Sequence, residues 1–324
     1  MNHALNNAGM LASVTVFYTN ALLPAMRRRA MVVGGVTLGL SVLRLVNRAL
    51  NSWALNNWSI KADSRWKWER EIAVVTGGCG GIGRELVAGL VRRGVKVAIF
   101  DIQPLPEDMA SDANILYLRT DITSETSIRE SASVVRKTFG DPSILINNAG
   151  VAAPHTILDT PAAFLDKIFG VNVIALWLMT KELLPSMIQA NKGHIANISS
   201  VTAYMALPSM VDYCASKAAS LTFHEGLNCE LKTKYKTSGI LTTIVQPTWV
   251  RTAMSPPNAD EIEKAQGKML SPRYVADRTL EQIFSCRGGQ IVLPGKFAFF
   301  SAVKGWPNWL QELLRDAMGR ASLL

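Results

Sequence analysis

The string TGGCGGIG, Thr76 to Gly83, follows directly on an apolar run and opens a helical period. That order constrains the chain more than any other stretch. A strand that runs into glycines and turns at once into a helix leaves bare N–H groups at the helix start. A phosphate can approach them closely because no Cβ intervenes. Gly77, Gly81 and Gly83 are the spaced glycines, with Ile82 between the last two. Glycines alone would mark a mere turn; the strand before and the helix after make this a dinucleotide-binding unit.

The rest of the domain repeats the alternation. Apolar runs at Ile72–Thr76, Val95–Phe100, Ile115–Arg119, Ser143–Ile146, His194–Ile198, Leu241–Val245 and Gln290–Leu293 read as seven strands. Helical periods fall between them, at Ile82–Arg93, Ser124–Phe139 and a long stretch Pro161–Ala190 with a kink expected at Pro185. Continuous apolar strands separated by helices imply a parallel sheet covered on both faces. The fold class is therefore α/β, a doubly wound Rossmann fold with a seven-stranded parallel sheet. High apolar content and few charges exclude disorder, and no repeat points to collagen or a coiled coil.

Asp101 ends the second strand, 18 residues past Gly83. An acid there accepts from the adenosine ribose hydroxyls and repels a 2′-phosphate. No Lys or Arg stands at Gly78, Cys79, Gly80 or Ile102 to compensate, so NAD is expected over NADP. Asp121, with Ile122 beside it, either accepts from the adenine amino group or caps the helix before Ser124.

Tyr213 and Lys217 stand four apart in YCASK, on one face of an expected helix. Ser200 lies thirteen residues earlier at a strand end, and Asn172 lies in the string VNV. A free tyrosine titrates near pH 10. Bringing it to about 7 takes ~4 kcal/mol of phenolate stabilisation, which a neighbouring ammonium and a bound nicotinamide charge can supply. Taken alone, YxxxK is equally a surface pair.

The strings in order are more specific: TGxxxGIG, NNAG at Asn147–Gly150, VNV, NISS at Asn197–Ser200, then YxASK. Together they resemble the short-chain dehydrogenase/reductase family over about Glu71 to Leu293. The resemblance implies a single-domain Rossmann oxidoreductase acting on CH–OH groups. It makes Tyr213 the acid/base, and Lys217 the group that lowers its pKa and binds the nicotinamide ribose. Ser200, rather than Ser199, would hold the substrate oxygen, and Asn172 would position a water in the proton relay. Asn148, Ala149 and Gly150 would line the cofactor side, with Pro247, Val250 and Thr252 beyond the sixth strand. Two departures concern loop geometry only: Thr248 follows Pro247 where the family often has Gly, and SSxxG becomes Ser199-Ser200-Val201-Thr202-Ala203.

The charge lies elsewhere. Residues 1–70 hold nine Lys/Arg and two Asp/Glu, a net of +7, and the other 254 residues carry only +2. Met1 to Met26 has four Asn and no charge. Arg27-Arg28-Arg29 precede fourteen uncharged residues, Ala30–Leu43, and Arg44 and Arg48 are expected to interrupt the next turns. Trp53, Trp58, Trp66 and Trp68 then mix with Lys61, Arg65, Lys67 and Arg70. Apolar runs bracketed by basic residues and Trp suit a membrane boundary and argue against nucleic acid as the partner. The other reading is an arm packed on a dimer partner. If the arm inserts, Lys61 to Arg70 stay on the cytosolic side with the domain. Cys79, Cys214, Cys229 and Cys286 show no CxxC spacing and the four histidines no HExxH, so no bound metal is expected.

The expected division is an arm over 1–70, a dehydrogenase domain over 71–295 and a tail over 296–324. The insert from Thr252 to Pro272, with Pro256 and Pro257, reads as a lid or a solvated loop. In the tail, Trp306, Trp309, Leu310, Leu313, Leu314 and Met318 fall at helical spacing. That helix suits a membrane interface, or packs on the domain or a subunit. The arrangement resembles the membrane-associated retinol and hydroxysteroid dehydrogenase branch. It implies a lipophilic substrate (retinoid, steroid or long-chain lipid), a membrane or lipid-droplet surface, the endoplasmic reticulum or lipid droplet as location, and a homodimer. The alternatives are an NADP-linked ketolipid reductase and a non-catalytic lipid-surface scaffold.

Overall fold

The computed structural model describes residues 23–59, 62–255 and 259–322. Most of the uncharged stretch up to Met26, together with Lys61, Pro256 and Pro257, lies outside the described residues. The contacts divide the chain between Ala54 and Leu55 into two compact units. Residues 55–70 and 296–322 belong to the larger one.

The described residues of the first unit lie in one helix, α1 (Leu23–Leu55), whose last residue is counted with the second unit. Arg44 and Arg48 do not interrupt it, because arginine is a good helix former. At 1.5 Å per residue it is about 50 Å long. Its stretch Met26–Leu55 is long and apolar enough, by length and composition, to cross a membrane. Leu38, Leu43 and Leu45 are exposed along it.

The second unit carries a seven-stranded sheet of order β3-β2-β1-β4-β5-β6-β7. The strands are β1 (Ile72–Thr76), β2 (Lys96–Asp101), β3 (Ile115–Arg119), β4 (Ile144–Asn147), β5 (Gly193–Ile198), β6 (Ile240–Pro247) and β7 (Gly289–Leu293). Every neighbouring pair is parallel. The helices are α2 (Gly81–Arg92), α3 (Glu125–Thr138), α4 (Ala162–Phe169), α5 (Ala175–Ala190), α6 (Val211–Thr233), α7 (Ala259–Gln266), α8 (Pro272–Phe284) and α9 (Asn308–Ser322).

Alternate strand residues sort onto opposite faces, as the pleat requires. Ala73, Val75, Val97 and Ile99 pack with Leu86 and Leu90 of α2 and Val275, Leu280 and Ile283 of α8. Val74, Ala98, Phe100 and Leu145 pack with Ile128 of α3, Met179 and Leu183 of α5 and Leu227 of α6. The strand order reverses between β1 and β4, the position beyond whose strand ends sheets of this kind take their ligands.

One expectation needs correcting. Pro161–Ala190 is not one regular helix kinked at Pro185. A π turn, Gly170–Ile174, separates α4 from α5, while Pro185 sits inside α5. The turn is centred on Asn172, whose side chain bonds outside the helix, and such π bulges recur at functional sites. The stretch Ala162–Ala190 is also long and apolar enough to span a membrane. Met179, Leu183 and Met187 of that stretch, however, lie in the core just described, while Ile174 and Trp177 are exposed.

The tail runs through a 3₁₀ segment, Gly295–Gly305, into α9. Phe300 and Val303 form a small core with Tyr204 and Met205, against which Leu314 and Met318 pack. Trp309 and Leu313 are exposed.

Candidate active site

The glycine turn behaves as the string implies. Gly77 has φ +66° and Gly81 φ +52°, backbone conformations that L side chains rarely adopt. A Cβ on Gly83 would stand 2.0 Å from the Gly77 carbonyl oxygen, so strand and helix meet there only through glycine. Ser124 caps α3, accepting from Ser127 N, and Ser271 caps α8, accepting from Tyr274 N. The start of α2 has no side-chain cap. Its N–H groups and positive dipole end are therefore offered to an anion.

Two flanking loops brace the turn. The Thr76 hydroxyl accepts from Asn148 N (3.0 Å) and Ala149 N (3.1 Å). The Asn148 side-chain amide donates to the carbonyls of Thr76 and Gly77. On the other side Asp101, almost buried, accepts from Cys79 N (2.9 Å) and Gln103 N (2.9 Å). Burial and that carboxylate push the Cys79 thiol up to about 12, so it is protonated at neutral pH. Ile82 packs at the edge of the core.

Asp121 stands apart. Its carboxylate accepts from the backbone (2.9 Å) and hydroxyl (2.7 Å) of Thr123. No bond among the described residues ties it to the glycine turn. Ser124, not Asp121, caps the helix. Ile122 is buried in the second core.

Ser200, Tyr213, Lys217 and Asn172 come together at the finish of β5. Parallel pairing fixes Ser200 just beyond Ile198, and the Ser200 hydroxyl lies close enough to the Tyr213 phenol to favour its charged form. It also approaches the Pro247 carbonyl, at 3.3 Å, from the end of β6. Lys217, 5% exposed, donates to the Ile198 carbonyl at 3.1 Å and lies 5.5 Å from the Tyr213 ring centroid. Ser199 faces inward instead, bonding Ser220 at 2.8 Å.

Asn172 is clamped. Its amide donates to the Val151 carbonyl (2.9 Å) and the Ser216 hydroxyl (3.0 Å), and its oxygen accepts from Val151 N (2.8 Å). Both amide hydrogens are thereby used. Gly150 lies between Asn172 and Lys217: a Cβ there would stand 3.3 Å from Asn172 Oδ1 and 3.7 Å from Lys217 Nζ.

The electrostatics differ from the simple expectation. Burial pushes the Tyr213 phenol up to about 12, with the neighbouring Ser200 hydroxyl acting against it. Burial pulls Lys217 down to about 8. Desolvation opposes both charged forms. Phenolate at neutral pH therefore depends on keeping Lys217 charged and on further positive charge arriving.

The segment after β6 returns over the glycine turn. Thr252 Cγ2 lies 3.3 Å from where a Cβ on Gly81 would be, and Thr252 N donates to the Ser255 hydroxyl. Val250 bridges Leu270, and Arg251 pairs with Asp260 (2.9 Å) and Glu263. These contacts tie down the described part of the insert. Across the site, His155 pairs with Met210 just before α6.

Sequence reasoning missed Thr76 and Ser216. Ser216 donates to the Tyr213 carbonyl (2.7 Å) while accepting from Asn172, so it links acid/base to clamp. Both residues sit inside quoted strings, but only the fold gives them partners.

Residues 71–263 match the short chain dehydrogenase family. The chain is 36% identical over 211 residues to dehydrogenase RED2 of Cochliobolus heterostrophus, covering 64% of this chain and 79% of that one. It is 35% identical over 191 residues to human 17-beta-hydroxysteroid dehydrogenase 13, covering 57% of this chain and 63% of that one. The fold matches a short chain dehydrogenase/reductase from Burkholderia phymatum solved in complex with NAD. That match has a TM-score of 0.64 and 24% identity, and covers 74% of this chain and 95% of the other.

Proposed function

The chain belongs to the short-chain dehydrogenase family, and from that premise we propose that it is an NAD-dependent oxidoreductase of a lipophilic alcohol and its carbonyl. The reading rests chiefly on the meeting of the Ser200 and Tyr213 hydroxyls beside Lys217. Tyr213 exchanges the proton of the substrate hydroxyl, and Ser200 steadies charge on the same oxygen. Lys217 supplies positive charge to the phenolate. The amide hydrogens of Asn172 are spent on Val151 and Ser216, so its service to a relay water falls to its remaining oxygen lone pair or its backbone. A bound nicotinamide would supply the hydride acceptor or donor.

The cofactor assignment follows from the uncapped start of α2, the glycine approach at Gly83 and Asp101 at the end of β2. The residues present fit a dinucleotide. Asp101 favours the form without a 2′-phosphate. The Burkholderia structure solved with NAD supports the same choice.

Retinoids, steroids and long-chain lipids are the substrate classes. The similarity to a hydroxysteroid dehydrogenase and the apolar helix α1 support them. In this reading α1 holds the enzyme at the endoplasmic reticulum or a lipid droplet, with the catalytic unit in the cytosol. Trp309 and Leu313 of α9 add an apolar surface. Ile174 and Trp177, exposed on the long helical stretch, suit a homodimer contact.

The test is a substrate screen on detergent-solubilised protein with NAD and NADP. Retinol, steroids and fatty alcohols are assayed alongside small polyols. NAD-linked oxidation of the lipophilic group is expected, and activity confined to polyols sinks the proposal.

A further inference from the structure

A second concave site lies far from the catalytic one. It has a volume of about 570 Å³ and is lined by Lys67, Trp68, Glu69, Arg70, Arg92 and Arg93. Four cations therefore surround one acid. Among the described residues none of these four cations has an ion pair, whereas most other arginines of the unit do. Evenly solvated charge would not converge in this way. Lys67 and Arg70 come from the segment entering β1, and Arg92 and Arg93 from the end of α2.

The wall is rigid. Trp68 stacks on Trp66 with ring centroids 5.4 Å apart and meets Phe284 edge-on at 4.8 Å. The Arg93 guanidinium lies 5.4 Å from the Phe284 ring centroid. The carboxylate of Glu71, the next acid along the chain, is already engaged by Lys67 N, Ser143 and Lys192. It is not free to neutralise the cluster.

Eleven residues separate Lys67 from the end of α1, the helix long and apolar enough for a membrane. Asn56 and Asn57, which follow α1, bond at the strand-start end of the sheet: Asn57 donates to the Ser238 and Ile240 carbonyls, and Gly288 N donates to Asn56. Arg70 and Arg93 precede the starts of β1 and β2, at that same end. Catalysis is assigned to the opposite end, so the mechanism leaves these cations unused.

We infer that Lys67, Arg70, Arg92 and Arg93 form a binding site for the anionic headgroup of a membrane lipid, with Trp68 at the interfacial level. The inference rests on the membrane reading of α1. Clusters of cations beside a membrane segment hold anionic headgroups through summed charge, each contributing roughly a five-fold gain. Aromatic residues such as Trp favour the headgroup layer.

The experiment uses the full chain in phosphatidylcholine nanodiscs containing trace spin-labelled lipid. Wild type is expected to enrich labelled phosphatidylserine over labelled phosphatidylcholine, and raised salt to weaken the preference. Arg92→Gln/Arg93→Gln is expected to lower the preference by up to roughly thirty-fold, towards parity. Both side chains are replaced by good helix formers, so loss of fold is not expected, and an unchanged melting temperature checks it. Equal preference in wild type and variant overturns the site. A variant-sensitive response to inorganic phosphate without any lipid preference makes it a free-anion site and also overturns the assignment. If the chain does not enter neutral nanodiscs, the membrane reading of α1 fails. Recruitment from solution to phosphatidylserine vesicles, lost in the double variant, then still decides the headgroup site.

Discussion

The two ends of the sheet treat buried charge in opposite ways. At the strand-start end Glu71, 3% exposed, accepts from Lys67 N (2.9 Å), the Ser143 hydroxyl (2.7 Å) and Lys192 (2.5 Å). Lys192 also lies 4.7 Å from the Trp66 ring centroid. At the finish end Lys217 is as deeply buried, with one bond to a carbonyl and no carboxylate partner among the described residues. Asp212 Oδ2, Thr202 Oγ1 and His155 Nδ1 nearby are buried without partners. The start end also leaves Trp66 Nε1 and His194 Nδ1 unpaired, but those groups are neutral. Charge is compensated where the fold is held and left uncompensated where chemistry is assigned, the usual division between framework and site.

The sharpest way to break this contrast is Tyr213→Phe. It removes the proton-transferring oxygen and leaves the ring. Turnover is expected to fall by about 10²–10⁴-fold, up to ~5 kcal/mol. NAD affinity, measured by calorimetry, stays within a few-fold, and stability does not fall, because a buried phenol is lost. Retained turnover would move the acid/base elsewhere.

At the opposite end Glu71→Ala leaves the half-buried Lys192 without its carboxylate. The expected loss is at most about 3–5 kcal/mol of stability, the range for breaking a fully buried pair from one side, because the half-buried Lys192 keeps some access to water. Denaturant unfolding of the solubilised chain measures it. Specific activity of the folded fraction should hold. A loss below 1 kcal/mol would place the pair among exposed, weakly coupled charges.

Much of this division can be read from the sequence, and the reason for the rest is physical. Strands buried on both faces are continuous apolar runs, so each expected strand lies within two residues of the one observed. Glycines forced by φ or by close approach leave a spaced string, so Gly77, Gly81 and Gly83 are visible in advance. Asn172 is visible as a residue, but its π turn is not, because the clamp to Val151 and Ser216 exists only after folding. The spacing of Tyr213 and Lys217 suggests a lowered phenol pKa. Burial reverses the sign, and burial is a property of the packed site.

The core histidines sharpen the contrast through pH. Burial holds His194 down to about 3 and His224 to about 4. His194 bonds Thr243 at 2.8 Å and His224 approaches Asn197 at 3.2 Å. Both pKa values are depressed below the unfolded value near 6.5, so below that pH the unfolded chain binds protons that the native chain refuses. Their contribution is intact above pH 6.5 and falls as the pH drops towards 4 for His224 and 3 for His194. The slope is at most about 1.4 kcal/mol per histidine per pH unit. Unfolding free energies measured from pH 7 to 5 check this, and His224→Gln should flatten the curve. A curve equally steep in that variant would assign the acid loss to other groups.

The smallest expected effect tests the cofactor side of the catalytic end. Asp101 holds Cys79 N with one oxygen and Gln103 N with the other, leaving lone pairs for a ribose. Asp101→Asn keeps one acceptor for the turn and removes the charge. NAD affinity should fall modestly, and NADP affinity should rise because a 2′-phosphate no longer meets a carboxylate. The ratio of the two dissociation constants is expected to move about ten-fold, ~1.4 kcal/mol. Asp101→Ala separates the two roles: it also removes the loop acceptor, so both cofactors weaken while the ratio shifts similarly. If the ratio stays fixed in both variants, discrimination does not reside at the end of β2. The choice between NAD and NADP would then pass to the segment around Thr252, which touches the same helix start from the other side.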